Sequence, residues 1–422
     1  MDYNAQMNYD ELYGKSILLL GKPRALNFEE FETLLKLHDI ALSPKYDENV
    51  ALVIEGKLMD PLEQDEGAHL YEQRIAPIVA IEGVEQWLCS SIEPNRLLMS
   101  LKLSRNQERL VDFIQNRYIS DELFFKLLKL YDWQDEGLFD NDTNRDVTAA
   151  LISRFYKDIE RNHNVQYAMS GLAHLIQKYG TTQLIDAISD LSPIAKEVKH
   201  PSDRTLAGIL DAMALHPHTS NNLLRTLMGE RSQLLARRVP LALEEELLAL
   251  KHETIDHLLA CNESLSLKGA DTLEATYPEL IAQSFPLDEE RFERLLKKCP
   301  ESLAFNTTLS IGMQETLMRL DEVSVNLGLS SNASVETCLL AQLYESGRYN
   351  TQIAGNTAVT PQQCEALWKS SDPVILNALA ANVSTPIEIL YQLALDSRYE
   401  RSVRTNAAFG KHIQIHSIGW QV

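Results

Sequence analysis

From about residue 210 onward the chain repeats itself, and a short repeat leaves a chain few folds to choose from. Polar residues at His216, Arg238, Asn262, Ser284, Asn306, Asn332, Asn356, Asn382 and Asn406 each close one apolar stretch, and they recur about every 24 residues. A short linker and a Ser or Thr follow, and then a new apolar stretch begins. Asn tolerates the left-handed conformation that ends a helix, so these positions are expected to be helix ends. The Ser or Thr is expected to cap the next helix by accepting hydrogen bonds from its free N–H groups. Thr385, Pro386 and Glu388 have the spacing of a capping box with Pro at the first helical position, and Thr360, Pro361 and Gln363 repeat the device with Gln. Leu224 with Leu227, Phe292 with Leu295, and Cys364 with Leu367 then face inward at i and i+3. A unit this short holds only two short helices and cannot bury a core alone. Stacked on its neighbours it can, which predicts a superhelical solenoid.

Composition agrees. Of 422 residues, 45% are hydrophobic and 23% charged, while Gly and Pro are sparse at 17 and 15, a balance that favours helices. The formal charge of −21 repels a phosphate backbone and argues against direct nucleic-acid contact. The local cluster Arg231, Arg237 and Arg238 reads as a solvated helix face and loop. Cys89, Cys261, Cys299, Cys338 and Cys364 are odd in number and never in C-x-x-C spacing, which gives neither a zinc site, an iron–sulfur ligand set nor a disulfide framework. The N-terminus lacks a charged-then-apolar signal pattern, and apolar runs such as Ile17–Leu20 are too short to span a membrane. A reduced, cytoplasmic protein is expected.

The first ninety or so residues differ from the rest. Ser16–Leu20 is a short apolar run that stops at Gly21, and Val50–Ile54 and Ile75–Ala80 read as further buried strands. Asn27 is placed to cap a helix carrying Phe28, Phe31, Leu34, Leu35 and His38; Gly67–Arg74 is a second helix, and Trp87 and Leu88 open a third. Strand and helix alternate, which predicts a small α/β domain with a parallel sheet over 1–92. A helical middle region over 93–210 follows, with Leu110, Phe113, Ile114, Leu123, Leu127 and Leu130 at helical spacing, and the repeats occupy 211–422. The fold class is mainly α: a helical-repeat solenoid preceded by a small α/β domain.

Two resemblances sharpen these expectations. Gly14–Gly21, Val53 and Ile54, Ala76–Val79, and Trp87 with Leu88 make residues 12–92 resemble a degenerate BRCT domain. Phosphopeptide-binding members place a Ser or Thr before the glycine of the first strand and a Lys early in the second helix. Here those places fall to Leu20 and near Glu66, so the resemblance implies the fold without the phosphate pocket. A Rossmann-type site is a poorer fit, since Lys22, Pro23 and Arg24 follow Gly21 and no second glycine does. Leu379–Asn382, Thr385 with Pro386, Leu390, Leu393 with Ala394, and Val403 with Arg404 resemble the leucine-rich repeat variant family, closely over 350–415 and more weakly back to about 210. This resemblance implies a right-handed solenoid of alternating short helices. The clustered cysteines of that family's iron–sulfur module are missing, so it implies no cofactor.

Other motifs fall short of chemistry. Asp140, Asp142 and Asn144 match the first half of a calcium loop, but Arg145 replaces the bend glycine and Leu151 the bidentate Glu; a solvated loop is expected, with Asp146 capping a helix from Val147. Glu160 and His163 have di-iron spacing without a second pair. His412 and His416 lack a third ligand, and His216 and His218 occupy a repeat turn where capping is their expected role. Glu244–Glu246 complement a helix dipole. With no catalytic, cofactor-binding or metal-ligating residue assigned, the expectation is a non-enzymatic scaffold or adaptor that binds another protein, without a membrane, small-molecule or direct nucleic-acid partner. The alternative is a factor of DNA metabolism acting through its BRCT-like and solenoid domains.

Overall fold

The computed structural model describes residues 8–73, 75–158, 163–199 and 204–415. The chain is mainly helical, with a small four-stranded parallel sheet near the N-terminus. It divides into two compact units, Met1–Arg231 and Ser232–Val422. No helix of the described residues is long and apolar enough to cross a membrane.

In the first unit, β1 (Ser16–Leu20), β2 (Ala41–Ser43), β3 (Val50–Glu55) and β4 (Ile78–Ala80) lie in the order β2-β1-β3-β4, every neighbouring pair parallel. Ile17, Leu18, Leu20, Leu52, Val53 and Ile54 are all buried, as expected of central strands covered on both faces. The helices α1 (Phe28–Leu37), α2 (Pro61–Glu72) and α3 (Ile81–Ser90) connect and follow the strands. Asn27 caps α1 by accepting from the Glu30 N–H at 2.9 Å. The other two helices begin earlier than the apolar pattern indicates. A capping box of Asp60 and Glu63 with Pro61 behind it starts α2 ahead of Gly67, and α3 starts at Ile81, which leaves Trp87 in its interior. The strand β2 is three residues long and only partly buried, too short to leave a sequence pattern. Trp87 packs against His38 and Tyr9, with ring centroids 4.3 and 5.5 Å away.

Further on in this unit, helices Gln107–Gln115 and Asp121–Leu130 carry the expected apolar stripes. Helix Asp142–Phe155 corrects an expectation. Its cap is Asn141, which accepts from the Asn144 N–H at 2.7 Å, and Asp146 lies inside the helix. Glu160 lies outside the described residues, and so does the side chain of His163.

The second unit is a run of helix pairs. One set of helices, here called the second helices, comprises Glu253–Ala260, Pro278–Ser284, Pro300–Leu303, Val323–Ser331, Asn350–Gly355, Pro373–Ala381 and Glu400–Arg404. Each packs against the second helix of the next pair. The repeat asparagines stand just after these helices and are buried, but they are not left-handed. Asn332, Asn356 and Asn382 are extended, with φ between −80° and −76° and ψ from 116° to 132°. The extended backbone lets each side chain reach the preceding turn. Asn356 Nδ2 donates to the carbonyls of Ser330 at 2.8 Å and Asn332 at 2.9 Å, while its Oδ1 accepts from the Ala358 N–H at 2.8 Å. Asn332, Asn382 and Asn406 do the same to Ala304 and Asn306, to Ala354 and Asn356, and to Ala380 and Asn382. One amide therefore satisfies two buried carbonyls of its neighbour and one N–H of its own turn, which is what a buried turn requires.

The first helices follow the apolar pattern. Phe292, Leu295, Cys364 and Leu367 are buried, as are Leu224 and Leu227 in the first unit. Thr360 and Gln363 form the expected capping box. Thr385 does not cap: the helix is Ile387–Ala394 with Pro386 at its cap, and Thr385 Oγ1 donates backwards to the Leu379 carbonyl at 2.7 Å. Buried at that point, the hydroxyl adds a second donor to a carbonyl at the preceding helix end, which also accepts from the Asn382 N–H at 3.2 Å.

Candidate interaction surface

Between Asn262 and Asn406 the ladder is interrupted once. Asn306 Nδ2 donates to the carbonyls of Ala282 and Phe285, so the turn acceptor is Phe285 and the sequence register at Ser284 is off by one residue. Phe285 has no amide to offer, and Ser284 Oγ turns back to the Leu280 carbonyl at 2.7 Å. The carbonyls of Ala260 and Asn262 therefore receive no side-chain rung from this turn. Charged groups join the neighbouring first helices instead. Arg291, on helix Glu289–Leu296, bonds Glu274 at 3.1 Å and Asp271, both on helix Leu267–Glu274, and Arg294 bonds Glu274 at 2.7 and 2.9 Å. Arg291 and Glu274 are buried, and the Arg291 guanidinium lies 4.7 Å from the centroid of the Phe285 ring. Arg294 together with Arg291 holds the Glu274 carboxyl below its ordinary range, against the opposing effect of burial. The sequence signal for this cluster is faint: Arg291 stands beside the apolar Phe292 in a helix that otherwise alternates normally.

Exposed apolar residues gather where two stacked second helices meet. Phe305, Val323 and Leu327 leave 36%, 63% and 38% of their surface exposed. Val323 and Leu327 are one turn apart on one helix, and Phe305 follows the preceding second helix. The two helices meet closely because of a glycine: a Cβ at Gly328 would lie 2.6 Å from the Ala304 Cβ and 3.2 Å from the Phe305 ring. Glu253, Glu279 and Glu301 are exposed on the three second helices that precede Val323–Ser331. The exposed apolar residues are thus bordered by carboxylates on one side along the stack.

The residues singled out by sequence have mostly structural roles. Asn141 caps a helix, Asp140 accepts from the Gly137 N–H, and Asn144 accepts from the Tyr131 hydroxyl at 2.7 Å. In the first unit His216 makes one of the bonds of a repeat asparagine: its Nδ1 accepts from the His218 N–H at 3.2 Å, and His218 Nδ1 lies 3.2 Å from the Gly180 carbonyl. Arg231 pairs with Asp211, and Arg238 is buried with its guanidinium on the Pro240 carbonyl, so the Arg231, Arg237 and Arg238 cluster is not a solvated patch throughout. Glu244–Glu246 begin helix Glu244–Ala249 as expected, and Glu244 also accepts from the Ser266 N–H at 3.0 Å. His412 Nε2 lies 3.0 Å from the Tyr391 hydroxyl, and His416 lies outside the described residues. Cys89, Cys299 and Cys364 are buried, and burial pushes each thiol up to about 11. Among the described residues no group of three or more His, Cys, Asp or Glu could hold a metal ion.

At the end of β1, Leu20 is buried and the Gly21 N–H donates to Glu63 Oε1 at 3.0 Å, while Glu63 Oε2 accepts from the Asp60 N–H at 2.7 Å. The chain's own carboxylate thus takes up the Gly21 N–H, and the residue responsible is Glu63, one turn before Glu66. Sequence reading also missed Glu85, a fully buried carboxylate on α3 whose Oε1 accepts from the N–H groups of Arg24, Ala25 and Leu26 at 2.8–3.0 Å. Its signal was available, because Glu85 interrupts the stripe formed by Ile81, Val84 and Leu88.

Comparison with family models, with curated proteins and with solved structures gives no match to this chain.

Proposed function

We propose that the protein is a non-enzymatic interaction scaffold. In this reading its C-terminal half is a right-handed solenoid of the leucine-rich repeat variant type, and its N-terminal domain is BRCT-like without a phosphate pocket. The observation that carries the reading is the asparagine-anchored stacking of the second helices, which repeats one surface position from unit to unit. A surface of that kind suits a long protein partner, as extended repeat surfaces generally do. The N-terminal assignment is supported by the all-parallel sheet and by Trp87 packed within α3. The Glu63 carboxylate on Gly21 supports the loss of phosphate binding.

The test is capture on the immobilised full chain, with crosslinking, followed by reconstitution from the purified components. A discrete protein that rebinds stoichiometrically is the expected result. Failure of any captured protein to rebind would defeat the scaffold reading. A net charge of −21 leaves little counterion release to drive DNA binding, so duplex DNA is expected not to be retained at physiological salt. Submicromolar DNA binding with a steep salt slope would favour a role in DNA metabolism instead.

A further inference from the structure

We infer that the exposed row of second helices around Phe305, Val323 and Leu327 docks a basic amphipathic helix of the partner, an inference that rests on the scaffold reading above. Three features define the occupant. The first is the apolar centre. Leu327 directly precedes Gly328, the residue that the Phe305 ring approaches, so both exposed side chains stand where the two second helices meet. Packed helices lie about 10 Å apart, and an α-helix advances about 10 Å in seven residues. A helix laid along the stack can therefore place apolar residues one heptad apart on successive units.

The second feature is charge. Glu253, Glu279 and Glu301 are exposed, and none of them forms an ion pair among the described residues, whereas Glu274 nearby is bonded to two arginines. Two cations, Lys297 and Lys298, are exposed just before Pro300–Leu303, against the three carboxylates. Cationic side chains on the partner, beyond its apolar pair, would meet these carboxylates. The third feature is the secondary structure of the face. It is built of helices and offers no strand edge, so an extended peptide would find no backbone partners there. A helix satisfies its own backbone and binds through side chains alone.

The probe is a synthetic helical peptide with two leucines one heptad apart followed by lysines at heptad spacing, followed by fluorescence anisotropy on the full chain. Wild type is expected to bind it. The double variant Phe305→Ser/Leu327→Ser is expected to weaken binding about ten-fold or more, as loss of a central anchor does. The triple variant Glu253→Gln/Glu279→Gln/Glu301→Gln should weaken it and flatten its salt dependence. Glu108→Gln/Asp112→Gln, in the first unit, should leave it unchanged. Phe305 and Leu327 keep 36% and 38% of their surface exposed, so the double variant is expected to stay folded with a lowered melting temperature, and binding is read below the onset of melting, where circular dichroism matches wild type. No peptide binding, an undiminished affinity in the Phe305/Leu327 variant, or an equal loss in the first-unit control would overturn the inference. The two readings separate cleanly: a reconstituted partner that binds wild type and the Phe305/Leu327 variant alike removes this face and leaves the scaffold.

Discussion

Between Asn306 and Asn406 neighbouring turns are joined by neutral amides, whereas the turn at Phe285 is joined to the unit before it by charge. In the first stretch each asparagine meets two carbonyls of the preceding turn, and nothing in the joint titrates. In the second, Phe285 stands where an amide would, and Arg291, Arg294, Glu274 and Asp271 bridge the first helices. The same helical repeat therefore has two kinds of joint. A neutral hydrogen bond is nearly indifferent to pH and salt, while a buried ion pair is strong only when both partners are charged and present.

The comparison can be broken at several points. Leu390→Asp has the largest expected effect, above about 5 kcal/mol, since it removes a buried side chain and leaves a charge between stacked units. The measurement is denaturant unfolding, and a loss under about 1 kcal/mol would mean that Leu390 is not between packed units. Glu274→Ala comes next. It leaves Arg291, a buried guanidinium, with Asp271 as its one remaining carboxylate partner, and should cost about 3–4 kcal/mol by the same method. Asn356→Ala gives up three hydrogen bonds at buried groups and should cost about 3 kcal/mol. Thr360→Ala removes one cap and should cost about 1 kcal/mol.

Acid sharpens the contrast. The folded Glu274 carboxyl is held below its ordinary range, chiefly by the hydrogen bond from Arg294. A group with a depressed folded pKa adds stability that is fully present above the ordinary carboxylate range and is lost as pH falls through the lowered value. Hydrogen exchange across 267–296 is therefore expected to lose protection on acidification, relative to 332–406, in wild type. In Glu274→Gln that relative loss should disappear. Equal acid sensitivity of the two stretches in wild type would remove the distinction between the joints.

Much of this architecture was legible in the sequence, for physical reasons that can be named. The repeat register was visible because one buried turn requires one short amide, and Asn recurs there. The cap at Thr360 was visible because the partner Gln363 is three residues away. What failed depended on distant partners. The asparagines were expected to be left-handed because a local rule was applied, but their side chains bond across units and need an extended backbone. Thr385 looked like a cap because Pro386 and Glu388 follow it, yet its hydroxyl is used by Leu379, six residues back. Arg291 with Glu274, and Glu85 with the loop at Arg24–Leu26, join residues far apart in sequence, and only charged residues interrupting apolar stripes hint at them. The exposed row at Phe305, Val323 and Leu327 was invisible, because without the stacking nothing says which apolar residues face outward.

The ladder itself is the central claim, and the asparagine side chains report on it directly. With the protein labelled selectively with ¹⁵N in asparagine side chains, the Nδ2 protons of Asn332, Asn356, Asn382 and Asn406 should exchange with solvent slower than those of exposed asparagines by on the order of 100-fold, because each amide is buried and bonded to two carbonyls. Asn356→Ala should remove one protected pair of signals and speed exchange at Asn382, whose acceptor is the residue 356 carbonyl. Asparagine amides that all exchange at the rate of exposed ones would contradict the account.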